Sequence, residues 1–253
     1  MPGSSQMRNS KLIRTPIFTA ACVIAALAVA GCGSDSKDSP SKGIQTSKID
    51  PSNFAARVDN AYFPLDPGTT LRYRGSEHGK VSIDEYTVTH KIKTILGVPN
   101  VVVHDKLFLD GRLAEDTDDW YTQDREGNVW YFGEDTKEVD RQGHTITKEG
   151  SWQAGVNGAR PGIFMPARPQ VGQSFKQESY KGHAEDYFRV TSLNASVRVP
   201  YGNFRGVLRT EEWSPLEPGV LDSKYYVRGI GQVKQVSVKG PREHSVLVQL
   251  KRR

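Results

Sequence analysis

Two aromatic runs, Trp120-Tyr121 and Trp130-Tyr131-Phe132, form the densest set of side chains that could hold a ligand. On a β-hairpin they would make either a cross-strand cluster that stabilises a sheet or the wall of a pocket for an apolar or sugar-like molecule. Around them lie Glu115, Asp116, Asp118, Asp119, Asp124, Glu126, Glu134 and Asp135. Paired carboxylates can cut a glycosidic bond, one acting as acid and the other as base or nucleophile. Asp124-Arg125-Glu126-Gly127-Asn128 offers the oxygens calcium prefers, but it lacks the bidentate acid that closes such a loop and sets Arg125 beside the ion. A hairpin turn built on Gly-Asn explains the same residues.

Other chemistry is sparsely represented. The histidines His78, His90, His104, His144, His183 and His244 are scattered, and none has the spacing that puts two imidazoles on one metal. His90 shares a strand face with Val88 and Ile92, where a lone imidazole usually serves as a hydrogen-bonded core residue. His183-Ala184-Glu185-Asp186 carries potential donors that solvated strand ends also carry. Ser76-Glu77-His78 has the residue types of a hydrolytic triad, but triads assemble in space. No Gly-x-Ser-x-Gly elbow is present. Gly229-Ile230-Gly231 lacks the third glycine and the helix of a dinucleotide loop. No catalytic residue, metal ligand or cofactor is therefore assigned. The expected function is non-enzymatic binding of a lipid or other apolar ligand, with Trp120, Tyr121, Trp130, Tyr131 and Phe132 as the candidate site. The alternatives are a protein-interaction or structural role and a carboxylate-dependent hydrolase.

The elements that must position these residues are mostly strands. Alternation in Leu71-Arg72-Tyr73-Arg74, Tyr86-Thr87-Val88-Thr89 and Val246-Leu247-Val248-Gln249-Leu250 has the period of a β-strand. Turn signals at Gly97-Val98-Pro99-Asn100, Asp110-Gly111, Gly127-Asn128, Gln142-Gly143, Gly202-Asn203, Pro218-Gly219 and Gly240-Pro241 break the runs. Strands are predicted near 69–75, 81–96, 100–109, 112–123, 129–134, 137–141, 183–200, 204–214, 220–228, 230–239 and 243–251. No helical pattern separates them, which argues against a parallel sheet. The fold class is mainly β: an antiparallel meander curving into a half-barrel or barrel, or splitting into a sandwich. Asp50 before Pro51 predicts one short helix ending near Asp59-Asn60. The Gly- and Pro-rich stretch 150–173 reads as an excursion that is functional or wraps an open edge.

The first residues are of another kind. Arg8, Lys11 and Arg14 precede an apolar run from Ile17 to Ala30, the layout of a secretory signal and too short for a comfortable transmembrane helix. The run ends in Val29-Ala30-Gly31-Cys32, which resembles the lipobox of bacterial lipoproteins. That resemblance implies cleavage between Gly31 and Cys32. It also implies a diacylglyceryl group with fatty acyl chains such as palmitate on the Cys32 thiol, and a place on the extracytoplasmic face of the cell membrane. The chain then divides into a signal peptide (1–31), a lipidated Cys and tether (32–48) and one β-rich domain (49–253). The tether is rich in Ser, Lys, Asp and Gly, and its sixteen residues after Cys32 would reach about 20–24 Å. Cys22 and Cys32 are the two cysteines, so the mature domain carries no disulfide or thiolate metal site. The chain holds 34 basic and 29 acidic residues, a net of +5; without the leader 31 basic residues face the 29, a net of +2. That near balance, together with export, argues against nucleic acid as a partner.

Three further motifs resemble secreted lipoproteins of unknown function. They are the Phe-Pro-Leu-x-Pro-Gly-Thr-Thr-x-Arg-Tyr entry from Phe63 to Tyr73, the aromatic hairpin from Asp119 to Glu134, and the Tyr-Tyr-x-x-Gly-x-Gly-x-Val-Lys run from Tyr225 to Lys234. The resemblance implies membership of a group and no activity. A looser likeness to half-barrel periplasmic carriers of lipids and lipidated proteins rests on architecture alone. The partners expected are the membrane through Cys32, a lipid or apolar ligand, and an envelope protein.

Overall fold

The computed structural model describes residues 49–252. The expected signal peptide, its cleavage at Gly31-Cys32 and the tether lie outside them. The described chain folds into a sheet of 16 strands. Its main path uses β1 (Thr70–Glu77), β2 (Lys80–Ile95), β3 (Val98–Leu109), β4 (Arg112–Asp124), β5 (Val129–Val139), β6 (Arg160–Met165), β7 (Ser174–Lys176), β8 (Glu178–Ser179), β9 (Tyr187–Val199), β10 (Gly202–Trp213), β11 (Leu221–Val227), β12 (Gly231–Lys239) and β13 (His244–Lys251). The order across the sheet is β7-β9-β10-β11-β12-β13-β1-β2-β3-β4-β5-β6-β8.

The two ends of that path are consecutive in the chain. Ser174–Lys176 pairs with β9, and after Gln177 the next residues, Glu178–Ser179, pair with β6. One short segment therefore spans both edges and makes the sheet a nearly closed antiparallel barrel. The expected strand pattern, meander and curvature are all present. Hairpins at His78-Gly79, Leu96-Gly97 and Asp110-Gly111 place both central residues at positive φ, the primed turn whose twist matches that of paired strands.

Three expectations are corrected. The N-terminal helix is absent: Asp50 does cap Ser52 N at 3.0 Å, but only a 3-10 turn, Pro51–Asn53, follows. The backbone at Phe54 and Ala55 pairs instead with Asp124 and Gln123 of β4, and tertiary pairing overrides the local cap. The strands placed at 129–134 and 137–141 are one strand, β5, continuous through a bulge at Gly133. The stretch 150–173 is not wholly irregular, because it contains Trp152–Gln153, which pairs with β5, and β6.

The hairpin turns fall at two ends, except the 200–201 turn, which folds against the barrel wall with Tyr201 N donating to Leu247 O at 3.2 Å. Residue 49 enters beside the Leu96-Gly97 turn, where Pro51 packs on Gly97 and Arg125 N donates to Asn53 O at 2.9 Å. This proximal end also carries the 125–128 and 228–230 turns, the 166–173 loop and the last residues, 251–252. The distal end carries the 78–79, 110–111, 140–144, 214–220 and 240–243 connections. Residues 54–68 fold into the proximal end and bury Phe63, whose ring lies 4.6 Å from Phe164 and 5.2 Å from Tyr121. With Leu65, Leu71, Val88 and Val101, these side chains make an apolar floor.

Candidate functional site

The aromatic hairpin does not form one surface. Alternation along β4 and β5 sends Tyr121 and Tyr131 inward, where the rings stack at 4.7 Å. Trp130 and Phe132 point outward and are covered by Phe54, 5.8 Å from each ring. Trp120 is capped by Lys93, with Nζ 3.2 Å from the ring centre. Trp130 also donates Nε1–H to Asp124 Oδ2 at 2.8 Å. The five candidate ligand-binding residues thus divide between the interior pair and three wall residues already covered by other parts of the chain.

The acidic residues divide in the same way. Asp118 points outward, 3.2 Å from His104 Nδ1, and Asp116 lies 2.9 Å from the other ring nitrogen. Asp124 is a turn staple: it accepts from Glu126 N at 3.0 Å, Asn128 N at 2.8 Å, Asn128 Nδ2 at 2.9 Å and Trp130. Four donors fill a carboxylate's capacity and leave none for calcium. His78, from the Ser-Glu-His triplet, sits between carboxylates, 3.2 Å from Glu243 and 3.9 Å from Glu77.

Glu126 and Asp135 also face outward, Asp135 3.1 Å from Lys148 Nζ, whereas a further set of carboxyl groups faces the interior. From mid-barrel to the distal end, Asp84, Asp105, Glu115, Asp119, Glu134 and Glu178 share the lumen with Tyr73, Tyr86, Tyr121 and Tyr131. Tyr131 donates to Asp119 Oδ1 at 2.5 Å, and Thr117 to Thr136 at 2.6 Å. Across the lumen Lys224 holds Glu212 at 2.6 Å, and Glu212 also accepts from Thr210 at 3.0 Å and Tyr226 at 3.2 Å. Burial first, and neighbouring carboxylates second, push Asp119, Glu134 and Glu178 well above the usual carboxylate range. Burial likewise raises Asp84 and Asp186 to about 7, and Glu217, half-covered at the distal end, to about 8.

Several of these groups end without a partner among the described residues. They are both oxygens of Glu134, Asp119 Oδ2, Glu178 Oε2, and both amide atoms of Gln232. Gln232 is 1% exposed, and its register partner across β11 and β12 is Tyr226, which sets the amide on the lumen face. The backbone carbonyl of Gln232 accepts from the Tyr73 hydroxyl at 3.0 Å. A buried, unpaired amide costs about 1–3 kcal/mol and calls for an explanation.

Asp119 and Glu134 are directly opposed across β4 and β5, as a carboxylate pair for hydrolysis would be. They are 0% and 1% exposed, however, so a molecule small enough to be enclosed when the barrel opens could meet them and a polymeric substrate could not. Gln232, Lys224, Asp84, Asp105 and Glu178 do not stand out in the sequence, because alternation assigns the polar half of each strand to solvent. A faint signal exists in Ser82-x-Asp84-x-Tyr86, where the polar set carries a phenol, and in Glu115-x-Thr117-x-Asp119, whose intervening positions Asp116 and Asp118 are no more apolar.

At the proximal end, two grooves of about 480 and 420 Å³ share Ala167 and Arg168. Arg125 lines the first, and Tyr62, Leu193 and Arg228 line the second.

No protein-family model and no curated protein matches the chain. Among solved structures, it is similar to a Bacteroides fragilis protein assigned as exported and described as having a YmcC-like fold, with TM-score 0.45, 15% identity, 76% of this chain and 100% of that chain covered. It is also similar to a Parabacteroides distasonis protein assigned as a lipoprotein, with TM-score 0.41, 12% identity, 76% of this chain and 99% of that chain covered.

Proposed function

We propose that the protein is a non-enzymatic, lipid-anchored binding module of the cell envelope that holds a small polar ligand inside its barrel. The observation that carries this reading is Gln232: a fully buried amide, facing a lumen of phenols and carboxyl groups, with neither polar atom paired. The unpaired oxygens of Glu134, Asp119 and Glu178 supply acceptors from the opposite wall. An acyl chain would leave all of these groups unsatisfied at a cost of kilocalories each, so a polar ligand suits this interior better than the apolar one the aromatic hairpin suggests. Lipid anchoring on Cys32 rests on the lipobox.

Native mass spectrometry of the lipoprotein extracted from its membrane tests the assignment. A discrete extra mass is expected on the wild-type chain and not on Gln232→Met, which keeps the side-chain volume and removes both polar atoms. The variant should be as stable as wild type or slightly more so, since it removes an unsatisfied group. An identical mass spectrum for the two proteins would sink the reading and leave the protein-interaction role ahead.

A further inference from the structure

The two proximal grooves surround a cationic rim. Arg125, Arg168 and Arg228 are all exposed and come from three separate turns or loops: 125–128, 166–173 and 228–230. Arg228 is held in place by stacking its guanidinium 4.4 Å over the Tyr62 ring. Arg252 adds a fourth cation and donates to Gly229 O. The acidic groups at this end are Asp50, Asp59, Asp66, Asp124 and Glu126. Asp50 lies near Arg125, Asp59 pairs with Arg57 at 3.2 Å, and Asp124 is consumed by its turn. Glu126 lines the larger groove beside Arg125. Two large apolar side chains are exposed beside the arginines, Val171 at 63% and Leu193 at 37%. Cations set among exposed apolar side chains suit a bilayer interface, where phosphate groups lie just outside hydrocarbon.

This is also the end at which residue 49 enters, seventeen positions after Cys32. We infer that the proximal end is a docking surface for anionic phospholipid headgroups of the membrane that carries the anchor. In that arrangement Arg125, Arg168 and Arg228 meet phosphates, and Val171 and Leu193 enter the interface. The inference rests on the lipid anchor at Cys32. It does not depend on the ligand assigned to the lumen. The sixteen residues between Cys32 and Ile49 are enough, by composition and number, for the proximal end to touch the surface or to leave it on one anchor. The distal end, with its acid-rich lumen, then points away from the bilayer.

The test uses the lipoprotein reconstituted in vesicles, with a fluorophore on a cysteine at Gln170→Cys or, at the distal end, Arg242→Cys. Nitroxide on lipid headgroups serves as quencher. In vesicles of phosphatidylglycerol and phosphatidylcholine at 3:7, position 170 should be quenched strongly and position 242 weakly. The contrast should fade in pure phosphatidylcholine or at high salt. Each arginine near an anionic surface favours contact about fivefold, so the triple Arg→Gln variant should cut the docked-to-undocked ratio roughly a hundredfold. Equal quenching at the two positions, or a contrast untouched by the triple variant, overturns the docking. Failure to float with neutral vesicles removes the anchor and the docking with it, and the float test separates that case from the other.

Discussion

At the scale of single residues, the same residue type serves two ends according to which side of a strand it occupies. Asp118 and Asp119 are neighbours, yet one meets His104 in solvent and the other meets Tyr131 in the lumen. Asp118→Asn should change stability by no more than about 0.5 kcal/mol. Asp124 is different, because four donors converge on it and Asn128 N and Trp130 Nε1 are buried. Asp124→Ala leaves those donors unpaired and should lower the unfolding free energy by about 3 kcal/mol, with the urea midpoint falling and the slope unchanged. A loss no larger than that of Asp118→Asn would show that water replaces the carboxylate at little cost.

Among the elements, Gly133 sets the geometry of the lumen. Its φ is +126°, and a Cβ there would lie 2.2 Å from Trp152 O. The bulge it forms shifts the β4–β5 register between Asp119 and Tyr121, which lets Tyr131 and Glu134 both face inward although three positions separate them. Gly133→Ala must either move the Trp152 strand or distort the bulge. It should cost at least ~2 kcal/mol and raise hydrogen exchange at Trp152 and Gln153 first. Strands and turns were legible in the sequence because apolar alternation and Asp-Gly or Gly-Asn turns are local properties. The helix expected after Asp50 failed because Phe54 finds a better use in β4 and over Trp130 and Phe132, contacts some seventy residues away. The rings of Tyr121 and Tyr131 mark them in the sequence, and both line the lumen. The carboxyl groups with which they share it were hidden, since no local pattern says that the polar face of a strand will close on itself.

Across the whole molecule, one set of carboxyl groups gathers inside, from mid-barrel to the distal end, while Arg125, Arg168 and Arg228 stand on the proximal outside. The interior groups couple stability to pH. Asp84 and Asp186 at about 7 and Glu217 at about 8 hold their protons in the folded barrel, whereas in the unfolded chain they release them near pH 4. Between those limits the folded state binds more protons, so stability falls as pH rises from about 4 towards 8. Thermal unfolding should occur several degrees lower at pH 8 than at pH 5.5, since a domain of this size loses about 2–4 °C per kcal/mol. A midpoint that is flat or rises over that range would show the carboxyl groups already ionised in the fold. The barrel's closure has a consequence of its own. Six residues, Ser174 to Ser179, act as a zip fastener between β9 and β6. While it is shut, the ends of β9 and β6 that meet at the seam offer no bare amides to a passing strand. Undone, it bares further edge on β9 and on β6 that would seize the same segment from another copy. Closure of the barrel therefore hangs on very short strands, and exchanged-segment dimers are the form its misfolding should take.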